Sequence, residues 1–107
     1  MTWNLYTQRI AEALGAPTPQ IVHIPTDMLF QAAPQRYAVV KENFQFNNIF
    51  DNAAARADLN FRYTIPWLTG VRRMAAWLDE HQRIENSDLD PFEDDLVARW
   101  QALRMQD

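Results

Sequence analysis

The most regular hydrophobic pattern in the chain lies in its second half, over residues 65–81. Apolar residues recur there at spacings of three and four, the period of one helical face: Trp67, Leu68, Val71, Met74, Ala75 and Leu78. Gly70 costs a helix up to about 1 kcal/mol relative to alanine, so we expect it to allow another backbone segment to approach closely. The pattern predicts a helix over residues 65–81, capped by Thr64 and with Pro66 in its first turn.

The same period appears at both ends of the chain. Near the start, the N-cap residue Thr2 precedes an apolar face, and Gly15 and Pro17 end the pattern, which predicts a helix over residues 3–14. Near the end, Asp90-Pro91-Phe92-Glu93 resembles a capping box with proline at the first helical position. An apolar seam follows it and predicts a last helix: Phe92, Leu96, Val97, Trp100 and Leu103.

Two segments between these helices favour extended structure. Residues 21–24 form a short, mainly β-branched run between Pro19 and Pro25, which predicts a strand at the edge of a sheet. Residues 45–50 alternate in part between apolar and polar side chains and could form a second strand.

Two short helices complete the predicted elements. One is expected over residues 28–33, where Pro34 interrupts it, and the other over residues 53–59, behind the caps Asp51 and Asn52. The sequence therefore predicts an α+β fold that is mostly helical. We expect one small domain over residues 1–107 with one or two short strands.

Composition narrows the classes of function. The chain has 107 residues, 48% of them hydrophobic and 22% charged, which suits one folded domain. Its formal net charge of −4 argues against a nucleic-acid partner, because such proteins need a surplus of lysine and arginine on some face. Its apolar runs are short, so we expect no membrane partner and a cytoplasmic location.

The rarer residues exclude most catalytic motifs. The chain has two glycines, whereas a dinucleotide-binding loop needs three at close spacing, so we expect no cofactor-binding residue and no NAD or NADP binding by this chain. It has no cysteine, and its two histidines, His23 and His81, are far apart. We therefore predict no catalytic residue and no metal site.

A succession of short segments between residues 2 and 80 is more informative than any one of them. The segments follow one another at fairly constant spacing: Thr2-Trp3-Asn4, Ile10-Ala11-Glu12-Ala13-Leu14-Gly15, Ile21-Val22-His23-Ile24-Pro25-Thr26-Asp27, Phe50-Asp51-Asn52, Leu59-Asn60-Phe61-Arg62, Thr64-Ile65-Pro66, Gly70-Val71-Arg72-Arg73 and Ala76-Trp77-Leu78. This succession resembles the C-terminal part of NAD-dependent epimerase/dehydratases, the extended short-chain dehydrogenases that act mainly on nucleotide sugars.

The resemblance implies a substrate-binding part without its catalytic partner. In that family a Rossmann domain holds NAD or NADP together with the catalytic tyrosine and lysine, and a smaller C-terminal part closes over the sugar nucleotide. This chain is similar to the smaller part alone. The resemblance thus implies a fragment that lacks the Rossmann domain and is not catalytic by itself.

One short motif imitates the family's catalytic signature. Tyr37 and Lys41 have the spacing Y-x-x-x-K, in which the lysine would lower the pKa of the phenol and hold the ribose of the cofactor. In the family, however, that motif precedes the C-terminal part, whereas here it follows segments that resemble it. We therefore interpret Tyr37 as an interfacial side chain and Lys41 as a solvated one.

The resemblance also suggests a substrate contact. In the family, a basic residue about ten positions before a D-x-S-K-like segment often contacts the phosphates of the nucleotide. Lys41 lies at that distance from Asp51, with Arg36 nearby, although Ala53 and Ala54 replace the serine and the lysine of the segment. Lys41 and Arg36 are the predicted substrate-binding residues, and solvated surface charges are the alternative.

Two hypotheses about function remain from the sequence. The first is a substrate-domain fragment of a nucleotide-sugar epimerase/dehydratase, with the Rossmann domain of the parent protein as its partner. The second is a free-standing interaction or oligomerisation module that kept this fold and lost the enzyme. Self-association would then cover the bared face, for which the first candidates are apolar residues outside the helix stripes: Met28, Leu29, Phe30, Phe44 and Phe46. The apolar side of the last helix is a second candidate: Phe92, Leu96, Trp100 and Leu103.

Overall fold

The computed structural model describes residues 1–105 and is mostly helical. Six α-helices lie in this part of the chain: α1 (Trp3–Leu14), α2 (Thr26–Ala32), α3 (Pro34–Val39), α4 (Ala53–Leu59), α5 (Trp67–Glu80) and α6 (Phe92–Arg104). A π-helical turn over Val40–Phe44 continues α3, and a 3-10 turn over Ser87–Leu89 precedes α6. The predicted mostly helical class is confirmed.

The contacts between residues divide the chain into two compact units. The first unit combines Met1–Ile21 with Arg62–Pro91, and the second combines Val22–Phe61 with the described residues from Phe92 on. The single domain over residues 1–107 stays a prediction.

The first unit is built on the packing of α1 against α5. Ala13 of α1 is 6% exposed, and its carbonyl oxygen accepts a hydrogen bond from Arg72 Nε of α5 at 3.2 Å. At the other end of the contact, the Tyr6 ring meets the Trp67 ring edge to face, with centroids 5.7 Å apart. A small side chain at Ala13 lets the two helices approach, and the aromatic pair supplies apolar contact area.

The ends of α1 follow the sequence prediction. Thr2 Oγ1 accepts a hydrogen bond from the backbone N–H of Leu5 at 3.2 Å, which satisfies one of the free donors of the first turn. Gly15 ends the helix in the left-handed conformation, with φ of 64°. Its N–H bonds to the carbonyls of Ala11 and Glu12. The predicted helix over residues 3–14 is therefore confirmed at both ends.

Helix α5 begins two residues later than predicted. Pro66 has φ of −57° and ψ of 144°, so it is extended and stands before the helix rather than in its first turn. The expected role of Gly70 is wrong within the described residues. A Cβ built there would meet the side chain of Ile65 at 3.8 Å, an ordinary contact, and no backbone segment lies close.

In the second unit, α2, α3 and the π-helical turn follow one another almost without interruption. Ala33 is the one break between α2 and α3, with φ of −152° and ψ of 85°. Pro34 then occupies the first position of α3, where a backbone N–H would have no acceptor within the helix, so its absence costs no hydrogen bond. The sequence analysis treated Pro34 only as the end of a helix and for that reason did not predict α3.

The predicted strands are not confirmed. Neither residues 21–24 nor residues 45–50 form a strand in the part of the chain that the structure describes. A strand needs a neighbouring strand for its hydrogen bonds, and Pro19 and Pro25 each remove a donor around the first segment. In the second segment, the side-chain amide of Asn48 donates to the carbonyl of Phe46 at 3.2 Å and favours a turn.

The apolar side chains of both units are largely exposed. Among the described residues Ala13 is the one that is buried. Several large side chains retain at least three quarters of their accessible surface: Ile49, Phe50, Leu59, Tyr63, Leu89 and Met105. Neither unit thus encloses a hydrophobic core of the kind that stabilises an independent domain.

Candidate functional site

The predicted substrate-binding residues lie on one continuous helical segment of the second unit. Arg36 belongs to α3, and Lys41 belongs to the π-helical turn over Val40–Phe44 that continues it. Single π-helical turns occur frequently at functional sites, because the wider turn changes the direction of the side chains that follow.

Arg36 makes a two-pronged contact with α6. Its Nε donates to Glu93 Oε1 at 2.9 Å and its Nη2 donates to Glu93 Oε2 at 2.8 Å. The guanidinium carbon lies 4.7 Å from the centre of the Phe92 ring, which holds the plane of the group by a cation–π contact. The structure therefore shows Arg36 as an exposed charge that is paired with Glu93.

Tyr37 joins the same carboxylate. Its hydroxyl donates to Glu93 Oε1 at 3.3 Å, and its ring centroid lies 6.3 Å from that of Phe92. The side chain is half-buried. This geometry fits the interpretation of Tyr37 as an interfacial residue, and it directs the hydroxyl to a carboxylate.

Lys41 contacts a different neighbour. Its Nζ lies 3.9 Å above the centre of the Phe30 ring, which belongs to α2. A cation over an aromatic face at this distance is favourable, by about 0.5–1 kcal/mol at an exposed site. The structure therefore places Arg36 and Lys41 on one segment but pairs them with different helices.

The segment that follows has one polar contact of its own. Asp51 Oδ1 accepts a hydrogen bond from the backbone N–H of Ala53 at 2.9 Å, at the start of α4. The predicted capping is confirmed at Asp51, whereas the N-cap residue of α4 is Asn52, whose side chain does not accept a cap bond. Ala53 and Ala54 stand where the resembled family has serine and lysine, so these two side chains offer no polar group to a ligand.

An open apolar groove adjoins Tyr37 and Glu93. It has a volume of about 300 Å³ and is lined mainly by aliphatic side chains from the 21–24 segment, α2 and α6: Val22, Ile24, Leu29, Leu96 and Val97. His23 also lines it, with an exposed side chain.

Glu93 and Phe92 are the members of this cluster that the sequence analysis missed. Glu93 was interpreted as part of a capping box, whereas its carboxylate accepts from Arg36 and Tyr37, which are more than fifty positions away in sequence. The available signal was the acidic first turn of α6, which contains Glu93, Asp94 and Asp95, but nothing in it specifies a partner.

Neither a metal-binding cluster nor a membrane-spanning helix is found in residues 1–105. No group of three or more histidine or acidic side chains in this range is arranged to hold a metal ion. None of the helices described here combines the length and the apolar character needed to cross a bilayer.

Comparisons with protein-family models, with curated proteins and with solved structures find no match to this chain.

Proposed function

We propose that the chain is the C-terminal substrate-domain part of a nucleotide-sugar epimerase/dehydratase and that it is not catalytic alone. Its partner would be the Rossmann domain of the parent protein, which would supply NAD or NADP and the catalytic groups in the cytoplasm. Lys41 and Arg36 would contact the phosphates of the nucleotide sugar.

The observation that carries this proposal is the exposure of apolar side chains. Folding to bury a single alanine among the described residues leaves little to offset the conformational entropy lost by the chain. A substrate domain that packs against a larger partner solves this problem, because the partner covers the exposed faces. The ordered succession of segments between residues 2 and 80 supports the choice of partner.

We keep the two predicted strands, at residues 21–24 and 45–50, as part of this proposal. Residues 21–24 lack a neighbouring strand among the described residues, and a partner domain could supply one. The two cations proposed to contact the substrate also fit, since Arg36 and Lys41 lie on one helical segment, and Tyr37 of the same segment lines the apolar groove.

The alternative is a free-standing interaction or oligomerisation module with the same fold. The same exposed apolar surface supports it, because a second copy of the chain could cover that surface. The genomic sequence upstream of Met1 separates the two. A glycine-rich βαβ segment in the same reading frame supports the fragment, and its absence favours the module.

Reconstitution tests the proposal directly. The chain is mixed with the separately produced Rossmann domain of an epimerase/dehydratase, and complex formation and conversion of a nucleotide sugar to its product are measured. We expect a complex and turnover above that of either part. Lys41→Gln should raise KM by roughly three- to tenfold with little change in kcat, because it removes a binding contact only.

Arg73→Gln is the matched control, since Arg73 is an exposed cation of α5 in the other unit. It should leave KM unchanged. Failure of several Rossmann domains to bind, together with tight self-association of the chain, would favour the interaction module instead.

A further inference from the structure

Three hydrogen-bond donors of the second unit converge on one carboxylate. Arg36 Nε and Nη2 and the Tyr37 hydroxyl all donate to Glu93, at 2.9, 2.8 and 3.3 Å. Two of these donors share Oε1, and the third takes Oε2. The arrangement matches the way an arginine and a hydroxyl bind a phosphate group, since carboxylate and phosphate oxygens present the same acceptor geometry to a guanidinium.

The donors are held in place by aromatic contacts as well as by Glu93. Phe92 lies under the Arg36 guanidinium at 4.7 Å and beside the Tyr37 ring at 6.3 Å. A stacked guanidinium loses less freedom when it binds an anion than a solvated one does. The donors would therefore keep much of their geometry if another anion replaced the carboxylate.

We propose that Arg36 and Tyr37 form an anion-binding fork for the diphosphate group of a nucleotide, and that Glu93 occupies this fork as an internal competitor. This inference rests on the proposed function for the identity of the ligand as a nucleotide. It adds Tyr37 to the phosphate-contacting residues and gives the start of α6 a regulatory role.

The competition is expected to be weak enough for a ligand to win. The side chains of Arg36 and Glu93 are 38% and 53% exposed, and ion pairs with this exposure contribute little to stability because water screens them. A diphosphate carries more negative charge than one carboxylate and so interacts more strongly with the same donors. Loss of the competitor should therefore change affinity by a modest factor.

The experiment measures binding of inorganic pyrophosphate and of uridine diphosphate to the full chain by calorimetry at fixed ionic strength. Glu93→Gln should bind pyrophosphate roughly three- to tenfold more tightly than the unmodified chain, which is the range expected for removing an exposed competing pair. Adding Arg36→Gln to that variant should abolish binding. Adding Tyr37→Phe to Glu93→Gln instead should weaken pyrophosphate binding, but by a smaller factor than adding Arg36→Gln.

Asp94→Asn is the matched control, because it removes the same charge from the same helical turn at the residue next to Glu93. If the gain in Glu93→Gln came from the general field of the acidic turn, Asp94→Asn would reproduce it. Equal gains in the two variants would therefore overturn the competitor role. Absence of pyrophosphate binding to Glu93→Gln at millimolar concentration would overturn the fork itself.

A spectroscopic readout keeps the test independent of affinity. The NMR signal of the Arg36 Nε–H should move in Glu93→Gln, and pyrophosphate should move it back toward its original position. An unchanged signal would contradict the bond that the fork depends on. Circular dichroism of each variant confirms that the helices are retained.

The outcomes also separate this inference from the proposed function. Tighter binding of uridine diphosphate than of pyrophosphate supports a nucleotide, and equal affinities would overturn that assignment. If the fork binds pyrophosphate but reconstitution with a Rossmann domain fails, the fork stands and the proposed function falls. If reconstituted turnover occurs and its KM is insensitive to Tyr37→Phe and Glu93→Gln, the proposed function stands and the fork falls.

Discussion

Individual residues at helix ends determine where several of the helices stop and start. Thr2 and Asp51 each accept a hydrogen bond from a backbone N–H in a first helical turn. Gly15 supplies the left-handed backbone that ends α1. These interactions connect residues that are close in sequence, so the residue types alone were enough to predict them.

The two glycines should respond in opposite directions to replacement by alanine. Gly15→Ala places a side chain at φ of 64°, which strains the backbone although nothing lies within 4 Å, so we expect a loss of about 1 kcal/mol in the free energy of unfolding. Gly70→Ala adds an ordinary contact inside α5 and should add about 0.5–1 kcal/mol.

Thermal and urea unfolding followed by circular dichroism measure both changes, each variant serving as the control for the other. A loss of stability in Gly70→Ala would mean that a backbone segment approaches this glycine after all. The sequence analysis expected such an approach, and the structure instead places the side chain of Ile65 there.

The contacts of the candidate site show the limit of prediction at this scale. Lys41 and Arg36 could be singled out from their charge and from their distance to Asp51 in sequence. Their partners could not, because Glu93 lies far along the chain and Phe30 belongs to another helix. Pairings of this kind depend on how helices pack, which no local pattern encodes.

At the scale of elements, the predicted helices have sequence signals for their apolar face or their ends, and the missed helix does not. Helix α1 has an apolar face, an N-cap and a terminal glycine, and α5 has the longest apolar stripe. Helix α3 has none of these, since Pro34 can either end one helix or begin the next. No local sequence pattern predicts the π-helical turn that follows α3.

The packing of α1 on α5 should be sensitive to volume at Ala13. Ala13→Leu inserts three extra carbon atoms where the helices meet, and overpacking of this kind costs about 1–3 kcal/mol in the free energy of unfolding. Near-ultraviolet circular dichroism during urea unfolding measures this cost through the Tyr6–Trp67 pair, which lies at the other end of the same helix contact.

Ala54→Leu is the control, because it makes the same change at an exposed helical position in the other unit. It should alter the free energy of unfolding by less than about 0.5 kcal/mol. Equal effects at the two positions would contradict a close contact between α1 and α5 at Ala13.

On the scale of the whole molecule, the balance of exposed apolar surface and net charge decides how the chain behaves in solution. The residues predicted to form a bared face include several that the structure leaves exposed: Met28 at 39%, Phe44 at 43% and Phe46 at 62%. Ile49 and Phe50, at 91% and 90%, extend this surface along the chain and were not among those predicted. We call residues 44–50 the apolar segment.

We expect the isolated chain to self-associate, most simply as a dimer, through the apolar segment. Burial of a large apolar side chain contributes about 1.5–3 kcal/mol, so a few of these residues suffice to drive association. The net charge of −4 opposes close approach of two copies, but salt screens it within about 8 Å under physiological conditions. Sedimentation velocity at micromolar concentration measures the outcome.

Two variants locate the interface. Phe46→Ser with Phe50→Ser removes two exposed aromatic rings from the apolar segment and should shift the chain to monomer. Leu89→Ser removes a side chain that is 83% exposed in the other unit and should leave the association unchanged, because it lies outside the segment. A monomeric unmodified chain at these concentrations would contradict the predicted self-association.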